Sequence, residues 1–282
     1  MLEVIVSCAL VALAQQDVAV TEVRSPATWS EFLQNAAQQY KVMRTGDHTT
    51  VPFNQRAIFD WASIDDYHGA VFAWRENGRP TLVATIFSFP LQNSKQRLAV
   101  HEFASFAEDK LEVEGPNGIQ WKPAPVKKLE RVQDAPPPPD NPNVLKVHCR
   151  RLAKEFSAYM NRRGERWDLR LLPTPLIEYQ QQTEEILGGA LFAFVGYSTD
   201  PEILLLLEAR KFDDGPAWCF LPVRFSDKSL YLKFRDKQVW ESLRAGHGAN
   251  APDTEDPQYR VLASVRLAPE LVEQLSAAPA NK

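Results

Sequence analysis

The chain has 282 residues, 44% apolar and 24% charged, with 32 Lys+Arg against 36 Asp+Glu and a formal net charge of −4. That apolar content excludes disorder of the whole chain, and a length near twice the usual ~150-residue unit allows two lobes or one large domain. The slight acidic excess offers no cationic surface to nucleic acid or to an anionic membrane, so neither is expected as a partner.

In chain order, the first feature is an export signal over residues 1–14. Val4 to Ala14 is an unbroken run of apolar and small residues, too short to span a ~30 Å hydrocarbon core. Ala12-Leu13-Ala14 supplies a small-x-small cleavage site, which places the mature start at Gln15. The n-region, Met-Leu-Glu, lacks the usual positive charge. No later stretch reaches membrane-spanning length, so an exported chain without a transmembrane segment is expected, periplasmic or extracellular.

Next comes a helical stripe, Trp29, Leu33, Ala36, Tyr40 and Met43, with Thr28-x-x-Glu31 as its capping box. Ile58-Phe59-Asp60-Trp61 and the strand-like Gly69-Ala-Val-Phe-Ala-Trp74 follow. Glu76-Asn77-Gly78 reads as a hairpin turn into the apolar run from Leu82 to Phe87. Residues 123–143, with four consecutive prolines at 136–139, read as a semi-rigid extended linker, because proline lacks a donor and holds φ.

The pattern then recurs. Leu145, Cys149, Leu152, Phe156 and Tyr159 repeat the helical stripe after Asn141-Pro142-Asn143, which offers an Asn cap. Leu176-Ile177-Glu178-Tyr179 repeats the earlier apolar-acid-aromatic set, and Gly189-Ala-Leu-Phe-Ala-Phe194 repeats the hexapeptide. Phe106, Leu111, Val113 and Trp121 match Phe225, Leu230, Leu232 and Trp240 at a constant offset. Fixed-period similarity of this kind signals internal duplication. Trp167, Leu169 and Leu171 alternate with polar residues, as do Leu230, Leu232 and Phe234, which marks half-buried strands. Tyr259 to Leu267 predicts a last strand and Pro269 to Leu275 a helical turn.

The expected class is therefore α+β: two tandem repeats, each an amphipathic helix packed on an antiparallel sheet of four to five strands. The first lobe spans 15–122 and the second 144–241, followed by a loop, strand and tail over 242–282.

Trp167-Asp-Leu-Arg-Leu-Leu-Pro-Thr-Pro-Leu176, Gly189 to Phe194 and Asp200-Pro-Glu-Ile-Leu-Leu-Leu-Leu-Glu-Ala-Arg210 resemble a group of uncharacterised secreted proteins of planctomycete bacteria. Gly69 to Trp74 with Gly78-Arg79-Pro80 resembles the first half of the same group. The resemblance covers most of the mature chain and implies export and a bacterial envelope setting. It carries no activity and no functional residues.

Known catalytic signatures are missing: no G-x-S-x-G, no phosphate-binding G-x-x-x-x-G-K-[ST], no calcium loop and no complete H-E-x-x-H. No cofactor and no metal is expected. Asp60 and Glu178, at equivalent repeat positions, are candidates for a carboxylate pair that converges between the lobes; the bland alternative is two solvent-facing strand residues. His101-Glu102 could act as base and orienting acid, although neighbours on a strand point to opposite faces. Glu208 and Arg210 share one strand face, as a binding pair or a structural salt bridge. Arg150 and Arg151, on the second helix, could meet an anionic partner or simply be solvated. Cys149 and Cys219 are a possible disulfide in an oxidising compartment, or two buried thiols.

Together these features favour a binding or scaffold module of the envelope, with polysaccharide or protein as partner. The alternatives are a hydrolase with a carboxylate or His-based site between the lobes, and an assembly protein that pairs through sheet edges.

Overall fold

The computed structural model describes residues 28–243, except 64, 93, 95, 163, 181, 182, 197 and 198, and residues 256–277. Residues 1–14, where an export signal is expected, lie outside the described residues. Strands hold 52% and helices 15% of the structure, so the chain is mainly β and the α+β expectation is overturned. The helix-on-sheet lobes fail for the same reason: the apolar runs form large curled antiparallel sheets that share one core.

Three helices are described: α1 (Trp29–Gln38), α2 (Pro142–Ala153) and α3 (Pro269–Ala277). Thr28 caps α1 by accepting from the Glu31 amide at 3.2 Å, and Asn141 caps α2 by accepting from the Asn143 and Val144 amides. Both helices stop earlier than their stripes predict. Tyr40 follows α1, and Met43 sits in β1 (Lys41–Arg44); Phe156 and Tyr159 sit in β9 (Phe156–Arg162). In β9 the burial alternates at Phe156, Ala158 and Met160, a period of two that overrides the helical spacing.

The first sheet has five strands. In chain order these are β2 (Phe59–Ala62), β3 (His68–Glu76), β4 (Arg79–Pro90), β5 (Arg97–Ser105) and β17 (Tyr259–Leu267), paired in the order β17-β5-β4-β3-β2. The β3–β4 hairpin turns at Asn77 and Gly78, both at positive φ, where glycine carries no steric penalty. A small three-stranded sheet pairs β1 with β6 (Leu111–Glu114) and β6 with β7 (Gln120–Trp121).

The largest sheet has nine strands. Besides β9 it contains β8 (Glu130–Arg131), β10 (Glu165–Leu171), β11 (Ile177–Gln180), β12 (Ile186–Val195), β13 (Pro201–Phe212), β14 (Gly215–Arg224), β15 (Ser229–Phe234) and β16 (Lys237–Ser242). The main path runs β16-β15-β9-β10-β12-β13-β14-β8, with β11 paired to β12. It curls far enough that Phe156 of β9 meets both Phe220 of β14 and Phe234 of β15. The proline-bearing segment 123–143 takes part in this packing: β8 pairs with β14, and Val126, Leu129 and Val132 are buried.

Alternation along the strands sets the layers. On β12, Ala190, Phe192 and Phe194 face α2 in one core cluster, whereas Leu191, Ala193 and Val195 face the five-stranded sheet in another. On β3, Ala70, Phe72 and Trp74 face α1, and Val71 and Ala73 face the large sheet. The order is therefore α1, five-stranded sheet, large sheet, α2. Central strands buried on both faces read as continuous apolar runs, such as Ile203 to Leu207, instead of alternating. Among the described residues, no helix is long and apolar enough to cross a membrane.

Candidate binding cavity between the sheets

The layers place the expected site residues apart. Trp61 points into the core between the sheets, so its neighbour Asp60 points to the opposite face of the five-stranded sheet, where it is exposed. Glu178 lies between Ile177 and Tyr179, which both enter the same core, so it points outward toward α2 and accepts from Arg150 Nε at 2.8 Å. The two carboxylates thus occupy outer faces on either side of the shared core, and the converging pair is ruled out. Arg151 is exposed on α2.

His101 and Glu102 diverge as strand neighbours must. His101 faces the α1 side, with Nδ1 at 2.8 Å from the Tyr40 hydroxyl, and burial pushes its pKa down to about 4. It is a neutral core histidine and no base for Glu102. Cys149 packs on the α2 side of the large sheet and Cys219 on the other side, so the sheet itself separates them. Both thiols are free, so of the two alternatives it is the pair of buried core thiols that forms and not the disulfide; burial raises them to about 12 and about 11.

Glu208 and Arg210 belong to an ion-pair network that ties the two sheets together. Glu208 is fully buried and accepts from Arg79 Nε at 2.8 Å, Arg210 Nε at 2.6 Å and the Tyr179 hydroxyl at 2.5 Å. Glu108 closes the network by accepting from Arg79 and Arg210. Burial pushes the Glu208 carboxyl up, but Arg79 and Arg210 outweigh this and hold it below the ordinary carboxylate range. Every lone pair and donor at its centre is used, which suits structure more than ligand capture.

The open chemistry lies elsewhere, at one end of the gap between the sheets. A cavity of about 510 Å³ is walled by Phe87, Val100 and Glu102 from the five-stranded sheet and by Met160, Trp167 and Glu202 from the large one. Three local features build it. The β12–β13 pairing slips between Phe194 and Val195, a bulge that brings Gly196 and Asp200 to the rim. Arg224, 1% exposed, donates to the carbonyls of Ser226, Lys228 and Leu243, clamping the turn that carries Ser226, Asp227 and Lys228. The Phe225 amide donates to the Glu202 carbonyl at 2.9 Å and docks this turn on β13.

Within the cavity Lys228 Nζ donates to Glu202 Oε1 at 2.5 Å. Burial would lower the Lys228 pKa, but Glu202 and Asp200 outweigh it and raise it. Glu102 is pushed well above the usual carboxylate value, first by burial and then by Asp200 and Asp227. Asp200 is raised to about 7 by burial and by Glu202, with Lys228 opposing. Two buried oxygens on residues that line it, Glu202 Oε2 and Ser226 Oγ, have no hydrogen-bond partner among the described residues; the residues are only 2% and 7% exposed.

No family model matches the chain, and no curated protein and no solved structure matches it either.

Of this constellation, only Glu102 was singled out from the sequence, and for a partnership with His101 that does not form. Asp200 and Glu202, just before and at the start of β13, and Asp227 and Lys228, on the turn between β14 and β15, are brought together by the strand pairing. Their only local signal is a set of acids abutting the Ile203–Leu207 apolar run and the Phe225 turn.

Proposed function

We propose that this chain is an exported ligand-binding module and that its ligand occupies the cavity between the two sheets. The observation that carries this reading is the cavity itself, about 510 Å³, with Glu202 Oε2 and Ser226 Oγ, on residues that line it, buried and unpartnered among the described residues. A buried polar atom left unsatisfied costs about 1–3 kcal/mol, and native chains rarely keep one without reason. Two on residues that line one cavity give hydrogen-bonding capacity that the fold itself does not use. The volume falls in the ~300–1,000 Å³ range of small-ligand pockets, and a gap between packed layers is a common place for one.

The test pairs a ligand screen with Ser226→Ala. The expected result is that a small molecule raises the melting temperature of the wild type and that Ser226→Ala weakens this shift. The same substitution leaves the unliganded protein as stable or slightly more stable, because it removes an unsatisfied hydroxyl. A variant that loses stability while its ligand response is unchanged overturns the reading. The export part rests on Val4 to Ala14 and the Ala12-Leu13-Ala14 site; N-terminal sequencing of the secreted chain should begin at Gln15. An envelope polysaccharide or protein remains the proposed source of the ligand.

One observation favours a second reading, a hydrolase. Glu102, pushed well above the ordinary carboxylate range by burial, lies beside Asp200, raised to about 7, and two neighbouring carboxyls with raised pKa values are the groups from which a general acid and its base are drawn. Hydrolysis of model glycosides that is abolished by Asp200→Asn would support it.

A further inference from the structure

We propose that the cavity selects a small organic cation, a primary amine or guanidinium carried on a short apolar stem; this rests on the binding reading above. Five carboxyl-bearing residues, Asp65, Glu102, Asp200, Glu202 and Asp227, line the cavity against two basic ones, Arg162 and Lys228. Lys228 is already spent on Glu202 Oε1, and Arg162 lies over the Trp167 ring with its guanidinium carbon 5.6 Å from the ring centroid. With Lys228 and Glu202 paired and burial disfavouring the charge on Glu102, the acids Asp65, Asp200 and Asp227 still outnumber Arg162 on the lining, so the field inside the gap is negative, and low-dielectric walls strengthen it. An anionic ligand would meet repulsion there.

The unpartnered atoms point the same way. Glu202 Oε2 is an acceptor, so the group that satisfies it must be a donor, and Ser226 Oγ can accept a second hydrogen bond. An ammonium or guanidinium brings several donors and no acceptor, which suits either oxygen. The apolar remainder of the ligand has its own surface. Tyr67 stacks on Phe89 at 5.2 Å and Phe89 on Phe87 at 6.1 Å, and all three rings line the cavity. Aromatic faces attract cations and also cover alkyl stems. Among the described residues, no three His, Cys, Asp or Glu side chains are grouped as a metal ion would require.

Protonation supplies the distinguishing readout. Asp200, just before β13, is faced by Glu202 at the start of that strand, by Asp227 and Lys228 on the clamped turn and by Glu102 on β5, with Tyr259 beside Glu102. A cation entering this group favours the ionised carboxylates, so binding expels protons, and affinity falls as pH drops through about 7.

The experiment is calorimetric titration of the full chain with cadaverine, agmatine and benzylamine, alongside 1,5-pentanediol, cellobiose and glutarate. Buffers of different ionisation enthalpy report the protons released. The expected result is binding of at least one amine or guanidine with proton release, and no binding of the diol or glutarate. Affinity should weaken roughly tenfold or more in Asp200→Asn, one lost charge contact in a low-dielectric site. Thermal melting of the variant checks that it is folded, and the pH dependence of the wild type gives the same answer without any variant. Binding of cellobiose or the diol, with amines inert and Ser226→Ala still weakening the response, overturns the cation inference and leaves the cavity reading intact. If none of the probes binds, the cation inference fails; if the Ser226→Ala test also shows no ligand response, the cavity reading fails with it.

Discussion

Replacing Glu208 by Gln tests whether the ion-pair network is what locks the two sheets together. In the native chain its carboxylate is wholly buried and receives three charge-assisted or phenolic hydrogen bonds, from Arg79, Arg210 and Tyr179. The two arginines are themselves 12% and 15% exposed at the side chain, so water cannot replace the lost charge. Breaking a buried pair from one side costs about 3–5 kcal/mol. Gln keeps one acceptor oxygen and Glu108 still neutralises part of the charge, which puts the expected loss near the lower bound, about 3 kcal/mol. Denaturant unfolding at neutral pH measures it, and thermal melting should fall by about 5–10 °C. The sign with pH follows from the depressed carboxyl: its contribution is complete above the unfolded value of about 4.3 and is lost as pH falls through the lower folded value. The gap between wild type and Glu208→Gln should therefore close in acid. A loss under about 1 kcal/mol, or a gap that stays constant into acid, refutes the argument that desolvated arginines depend on this carboxylate.

The Asp200 carboxyl predicts the opposite slope. Its folded pKa is raised to about 7, so its share of stability is greatest in acid and is lost as pH rises toward neutrality; Asp200→Asn should flatten that part of the stability–pH curve. Gly69→Ala should fail to fold or melt far lower, because a Cβ there would sit 2.1 Å from the Trp61 ring in the shared core; a near-native melt would contradict the packing of β2 on β3. Cys149 and Cys219 should resist a thiol reagent in the native protein and react only after unfolding, since both are buried with raised pKa values; fast native labelling would count against their placement.

Local rules were legible residue by residue. Both N-caps form at Thr28 and Asn141, the Asn77-Gly78 turn closes its hairpin, and the last strand spans Tyr259–Leu267 as its spacing predicts. Each depends on contacts within a few positions, where side-chain period and turn chemistry decide the backbone. The same rules overshot where a second period took over: Tyr40 and Phe156 continue a helical stripe in sequence, yet both lie past the helix ends, Phe156 as the first residue of a strand. An apolar residue at the right spacing satisfies either period, and only the partner strand chooses between them.

What the amino-acid order determined alone is the set of segments: two capped helices, the apolar runs that become strands, and the tight turns that make neighbouring strands antiparallel. Tertiary structure alone decided that the sheets stack into one shared core instead of two lobes, because a strand that is apolar on both faces carries no mark of which layer will cover it. That stacking sends Asp60 and Glu178 to outer faces and puts a whole sheet between Cys149 and Cys219. It also brings Glu102 into one cavity with Asp200, Glu202 and Lys228, residues from three chain segments whose juxtaposition exists only once the sheets close on each other.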